Sequence, residues 1–586
     1  MKRVKGAAIV VLAVGMLLSA TAWAAEKEAS GVREAQGGVE TLELKDGAAK
    51  QPVVKTALNE SQRQALEKIY QIVPELKELS VKGVSDEGDS TWEVFLSDSA
   101  GDAAPMHTFA RLAFETDTGE LIMFDIQNPD WASAELPASG LAKEKAADFA
   151  RRVLGDKMKD YQMNNQISYS GGGSQDDKGN KITWASANVQ FERLINGIPF
   201  LNSGIRVGVD AAGHVTEYYT EGYFKRNDKD SIKDGEPDPA VFPDPALAVT
   251  KQAAEEVYAD LLKMKLNYVE RQPLRYLKPG EEEVETRPVL EYIPTTYAFI
   301  DAVTGKPLDE SQEQQSTSLI SLAGEGKKLV AGTPEEAAAL LAAETGIDIS
   351  GMKLMREDEM EDHLKSGIKV KEYSWRSEPQ TGNKDVPDYN TMRYLDLNML
   401  ADTGQIIGFS LYDESGRGKK ATISRETAQE TAIQFVQKYL EQGTAELEMC
   451  VYSTQETIPN WVDMNKLKDN GVRPAFHFTF TYTHQGVPVS DRLYSVTVDG
   501  ITGRVRAYYN GNSSSPVTLP DSKNIVTAEA AKAEFLKSLP LRLVYVWPEF
   551  FDQKAPKPLL VYMPDYSYGG QYIDALTGKT MTLETK

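Results

Sequence analysis

Cysteine is almost missing: Cys450 is the only one in 586 residues. An internal disulfide is excluded, so ordinary apolar cores must hold the chain together. Long apolar runs are scarce as well. Residues 7–18 form one, too short for a comfortable span of a hydrocarbon layer about 30 Å thick, and no later run could cross it. Positive charge is in deficit, with 64 Lys and Arg against 87 Asp and Glu, a net of -23. Repulsion from phosphate then argues against DNA or an anionic membrane surface as a partner. Histidine occurs at positions 107, 214, 363, 477 and 484 only, and no pair has the His-Glu-x-x-His spacing of a helical zinc site. There is no Gly-x-Ser-x-Gly elbow and no phosphate-binding Gly-Lys-Ser/Thr loop, and Gly171-Gly172-Gly173 has no phosphate-binding frame around it.

The remaining candidates fail on spacing. Asp228, Asp230 and Asp234 suggest a cation loop, but counting from Asp230 puts Ile232 at a ligand position and Val241 where the bidentate Glu belongs. Asp176-Asp177-Lys178-Gly179-Asn180 reads as a turn, and Glu281-Glu282-Glu283 as a solvated face. Cys450 follows a helical pattern over 428–440 and reads as core packing. His477, between Phe476 and Phe478 in a strand, is expected to point outward. No catalytic, cofactor-binding or metal-ligating residue is assigned.

What is present is an export signal and a repeat. Lys2, Arg3 and Lys5 precede the apolar run, and Ala22-Trp23-Ala24 supplies a small-x-small cleavage pattern. Residues 1–24 are expected to be a signal peptide, with an uncleaved N-terminal anchor as the alternative, and the Glu-, Lys-, Gly- and Ala-rich residues 25–56 a flexible leader. Ile300-Asp301-Ala302-Val303-Thr304-Gly305-Lys306-Pro307-Leu308 returns as Ile573-Asp574-Ala575-Leu576-Thr577-Gly578-Lys579-Thr580-Met581. Gly197-Ile198-Pro199 returns as Gly486-Val487-Pro488, and Asp117-Thr118-Gly119 as Asp402-Thr403-Gly404. Fixed order at an offset of about 270 to 290 residues means one block written twice.

Within each block the pattern is a helix, alternating strands and an Asp/Gly turn. Ala65, Leu66, Ile69 and Tyr70 have helical spacing, and Phe476, Phe478, Phe480 and Tyr482 alternate as in a half-buried strand. Asn196-Gly197 predicts a hairpin. Asp244-Pro245 and Thr333-Pro334-Glu335-Glu336 predict helix starts, the second as a capping box. Asp117, Asp210, Asp301, Asp402, Asp499 and Asp574 read as turn residues, with a carboxylate row as the functional alternative. The fold expected is α+β: tandem units, each a helix on a small antiparallel sheet. The first half covers 57–320, with units at about 57–130, 136–224 and 243–310. The second covers 321–586, with units at about 333–415, 422–512 and 525–586.

These helix, strand and turn blocks resemble the PepSY-like repeated domain of the YcdB/YcdC proteins of Gram-positive bacteria, across roughly 57–586. Phe478 through Val489 with Val496-Thr497-Val498-Asp499, and Phe191 through Asp210, also resemble propeptides of thermolysin-family metalloproteases. The resemblance implies a secreted or cell-envelope protein without catalytic residues or cofactor. It implies a protein partner, an extracellular protease or an envelope protein, which the chain would regulate, inhibit or chaperone. The alternatives are a structural module binding wall polymer or a surface protein, and a carboxylate-based hydrolase.

Overall fold

The computed structural model describes residues 57–582, apart from 87–90, 99–106, 176–180, 222–236, 272–286, 296–297, 309–315, 362–367, 379, 382–386, 389–391, 414, 417, 454–457, 465, 467–472, 513–517, 551–552 and 566–570. The expected signal peptide and leader, Asp228 to Asp234, Glu281 to Glu283 and Asp176-Asp177 lie outside the described residues. No described helix is long and apolar enough to cross a membrane.

Helix α1 (Glu60–Ile72) starts where Asn59 and Gln62 cap each other's backbone N–H groups. Its Ala65, Leu66 and Ile69 are buried, and Pro74 follows its end. Strands β1 (Ser80–Asp86), β2 (Thr91–Ser97), β3 (Phe109–Glu115) and β4 (Leu121–Gln127) complete the first unit. Helix α2 (Ser139–Leu154) opens the second, with β5 (Tyr161–Gln175), β6 (Lys181–Ile195), β7 (Ile198–Asp210) and β8 (Val215–Thr220). The predicted hairpin joins β6 to β7, with positive φ at both Asn196 and Gly197. The third unit begins later than its sequence suggests. Asp244 caps only a 3-10 turn at Pro245–Leu247, and α3 (Lys251–Leu261) is capped by Thr250. Then come β9 (Met264–Arg271), β10 (Arg287–Pro294) and β11 (Ile300–Asp301).

The second copy keeps the order. After β12 (Ser316–Gly324) come α4 (Pro334–Thr345), β13 (Met352–Glu361), β14 (Lys369–Ser377), β15 (Arg393–Leu400) and β16 (Ile406–Asp413). Thr333 accepts from Glu336 N as predicted, but the Glu336 carboxylate turns to Gly332 N, so the box is half formed. Next are α5 (Arg425–Tyr439), β17 (Gly443–Ser453), β18 (Ala475–His484), β19 (Val487–Asp499) and β20 (Val505–Asn510). The last unit is α6 (Ala528–Ser538), β21 (Leu541–Val546), β22 (Leu559–Pro564), β23 (Gln571–Asp574) and β24 (Thr580–Thr582). The fold is α+β: two copies, each with helices on an antiparallel-rich sheet.

Sheet membership does not follow chain order. The first large sheet runs β1-β2-β3-β4-β8-β7-β21-β22-β11, with β5-β6 attached through β7. The second runs β13-β14-β15-β16-β20-β19-β9-β10-β23-β24, with β12-β17-β18 attached through β19. The third unit thus extends the second copy's sheet, and the sixth extends the first's. Single parallel contacts join them, Tyr268 to Val489 and Tyr545 to Phe200. The sequence division near 320 is not a division between sheets.

The two crossing units also exchange ends. Strand β11 pairs with β22, and β23 with β10. Ala302 N donates to Leu560 O, and Ala575 N to Leu290 O, both at 2.8 Å. Tyr562 Oη donates to Val249 O at 2.8 Å and Tyr292 Oη to Val526 O at 2.9 Å. One shared apolar core results, holding Tyr258, Tyr268, Ile300 and Ala302 with Phe535, Tyr545, Ile573 and Ala575. Separate cores lie under the helices of the first copy, around Phe124, Phe149 and Phe191, and of the second, around Phe409, Phe435 and Phe478.

The recurring turns are structural. Asp301 accepts from Val303 N and Thr304 N, Asp499 from Ile501 N and Thr502 N, and Asp574 from Thr577 N. Each stands four residues before a left-handed Gly, whereas Asp210 is three before Gly213. Asp117 and Asp402 are only two before theirs, so they occupy the middle of the turn. Gly404 is the tightest case. Its φ is +68°, and an added Cβ would meet Ala331 O at 2.3 Å. Gly404→Ala is expected to destabilise the second copy by about 1–2 kcal/mol or more, read from the denaturation midpoint. An unchanged midpoint would contradict the turn geometry.

Candidate functional site

Helices cover one face of each sheet, so polar side chains that recur on the other face are the place to seek function. On β2, Trp92, Val94 and Leu96 join the first copy's core, which sends Glu93 to the opposite face. The same alternation places Arg111 on β3, Asp125 on β4 and Glu217 and Tyr219 on β8 there. Arg111 makes a bidentate pair with Glu93, with N–O distances of 2.8–3.0 Å. Asp125 stands opposite Arg111 on one side and opposite Glu217 on the other. Gly208 faces Glu217 from β7, where a Cβ would come within 3.1 Å of the Glu217 Cβ. The missing side chain makes room for the carboxylate.

Burial dominates the electrostatics. It raises the pKa of Asp125, which Arg111 partly offsets. It raises that of Glu217, with repulsion from Asp125 adding and Arg206 opposing. The Tyr219 phenol is pushed well above its ordinary range by burial and by both carboxylates. Glu221, which accepts from Gln190 Nε2 at 2.7 Å, is raised by burial too. Two facing carboxylates so placed can share a proton or receive a cationic or hydroxyl-bearing group.

The second copy does not repeat this chemistry. At the corresponding pairing Ser410 faces Ala507, and Asp396 faces Ser410 where Arg111 faces Asp125. Sequence reasoning missed Asp125 and Glu217 because the pair is made by strands far apart in the chain. Mismatch between the aligned copies is the signal that could have found them.

A raised carboxylate pKa means the folded state binds protons more tightly than the unfolded chain. Stability therefore falls as pH rises from the ordinary carboxylate range through the raised values. Glu217→Gln is expected to stabilise the chain at pH 7 by about 0.2–1 kcal/mol, the range for like charges directly opposed. The gain should vanish in acid, where both carboxyls are protonated. A destabilised variant at pH 7 would show that the carboxylate is already satisfied.

The other polar candidates resolve as structure. His477 lies on the face away from Phe478 but is not free in solvent. It bonds Thr497 Oγ1 at 2.9 Å, and its pKa is pushed down to about 4 by burial, with Arg506 adding. His477 faces Thr497 while His484 faces Val487, so the strand register does not bring the two histidines together. Among the described residues no three His, Cys, Asp or Glu side chains are grouped to hold a metal. Cys450 is buried in β17, between Thr317 and Thr479. An open groove of about 590 Å³ lies elsewhere, lined by Asn196, Pro239, Ala240, Phe242, Asp244 and Pro245.

One buried ion pair breaks the symmetry of the crossing units. Glu291, 1% exposed, holds Arg271 through contacts of 2.6 and 3.0 Å. Asn267 Nδ2 lies 3.4 Å from the same carboxylate, and the Arg271 guanidinium stacks 5.0 Å from the Tyr572 ring centre. In the sister unit Val561 stands where Glu291 does, and Val544 faces it where Asn267 faces Glu291, so the buried carboxylate has no counterpart there.

The family model described as the YcdB, YcdC repeated domain matches residues 59–222 and 342–512. The two crossing units fall outside both matches. Among solved structures, the Bacillus megaterium YpeB C-terminal domain matches at 12% identity, over 44% of this chain and 96% of that one, with a TM-score of 0.22. A superposition that loose bears on neither fold nor function. No curated protein matches.

Proposed function

Because the chain belongs to the YcdB/YcdC repeated-domain family, we propose that it is an exported, non-catalytic binding protein that acts on an extracytoplasmic protein partner. Regulation or chaperoning of extracellular proteases is the specific form of this reading. One observation carries it: among the described residues, a large antiparallel-rich sheet ends in a long, uncharged strand, β5, paired on one side only. Such edges bind extended polypeptide through main-chain hydrogen bonds, with no need of a catalytic group.

The test is incubation of the protein with proteases from the culture medium of its own organism. A retained protease whose activity or maturation changes supports the reading. No binding and no change would overturn the regulatory form. Retention on purified cell wall without protease binding would favour a wall-polymer module instead.

A further inference from the structure

We propose that the outer edge of β5 is the docking site, and that its occupant is an extended, uncharged segment of a partner protein bound as an added antiparallel strand. This rests on the protein-binding reading above and names its surface.

The second copy shows what such an edge accepts. Strand β17 corresponds to β5, since each pairs with the strand leading into the unit's hairpin: Val451 with Phe478, Ile167 with Val189. On the far side of β17 lies β12, antiparallel from Ser316 opposite Val451 to Gly324 opposite Gly443. Strand β12 reads Ser-Thr-Ser-Leu-Ile-Ser-Leu-Ala-Gly and carries no charge. Its Leu322 enters the second copy's core, and Ile320 packs against that core. Among the described residues β5 pairs with β6 alone, so the first copy has the edge without the added strand.

The chemistry of β5 suits the same kind of occupant. Its fifteen residues, Tyr161–Gln175, include no charged side chain in a protein of net charge -23. Ser168 and Ser170 are exposed, while Ile167 and Tyr169 turn toward the core. Unguarded edges of this length are templates for further pairing. The contrast is β13, whose edge carries Lys353, Arg356, Glu357, Asp358 and Glu359. A charged strand would meet no counter-charge on β5, whereas a strand like β12 would lose little on desolvation.

The probe is the labelled nonapeptide of the β12 sequence, added to the full chain. Fluorescence anisotropy reads binding, and amide hydrogen exchange reads its footprint. Saturable binding with slowed exchange at 167–173 is expected. Ser168→Pro and Tyr169→Pro remove adjacent N–H groups, one toward β6 and one toward the open side. The outward one should weaken peptide binding about tenfold while leaving the melting midpoint unchanged. The footprint on the unaltered chain decides the matter even if both variants fail to fold.

No binding, or binding without protection of β5, would overturn the proposal. Protection already present in the free chain would assign the edge to the chain's own residues, and protection growing with concentration would assign it to a second copy. Either also overturns it. Peptide binding with no partner in the medium would instead sink the proposed function. A partner that leaves β5 exchange unchanged would sink only this site.

Discussion

Ending the chain after Asp565 is expected to unsettle β10, far upstream in the sequence. The truncation removes β23 and β24, and with them Ile573 and Ala575, both fully buried in the shared core, and Tyr572, nearly so. Burial of an Ile and a Tyr stabilises by roughly 1.5–3 kcal/mol each, so the loss should reach about 5 kcal/mol. A typical domain is stable by only about 5–15 kcal/mol, so the shared core should become marginal. Loss of Ala575 N leaves Leu290 O without its donor, and Tyr292 loses its neighbour Ile573. Hydrogen exchange should therefore accelerate at 289–293, and a synthetic peptide of residues 566–586 should slow it again. Were the third unit closed within the first half, the truncation would leave those amides protected, and the exchange of ends would be refuted.

Arg271→Met should cost about 3–5 kcal/mol at pH 7, because it leaves the Glu291 carboxylate buried without its partner. The pH dependence has a definite sign. Burial already raises the Glu291 pKa against the opposing pull of Arg271, and removing the guanidinium raises it further. The folded variant therefore takes up a proton more readily than its unfolded chain, and its deficit against the parent narrows as pH falls. The paired change Arg271→Met with Glu291→Val should recover much of the loss, since the sister unit holds Val561 at that place. Denaturation midpoints of the three variants at pH 7 and in acid check this. A deficit that stayed constant with pH would point to lost packing against Tyr572 instead.

Both experiments probe features that local patterns do not carry. The turn at Asp301 was legible, because Asp and a left-handed Gly close it within a few residues. The hairpin at Asn196-Gly197 and the helix start at Thr333 were legible for the same reason. The third unit's start was misplaced because Asp244-Pro245 caps a 3-10 turn with the same two residues that would cap a helix. His477 was expected outward by strand alternation. Alternation tells only that it leaves the Phe478 side, and Thr497 and Arg506 of neighbouring strands decide what it meets there.

By itself the sequence determined the α+β content, the repeat, the turn chemistry and the cores under each helix, because these rest on contacts within a few residues or on periodicity. Only the tertiary structure decided which sheet each strand joins. The repeated blocks Ile300 to Leu308 and Ile573 to Met581 have near-identical hairpin chemistry, so either could close either unit. Their exchange follows from nonlocal fit: Tyr292 and Tyr562 each reach a carbonyl of the opposite unit, and one apolar core is filled by both. The Asp125–Glu217 pair likewise exists only once distant strands lie side by side.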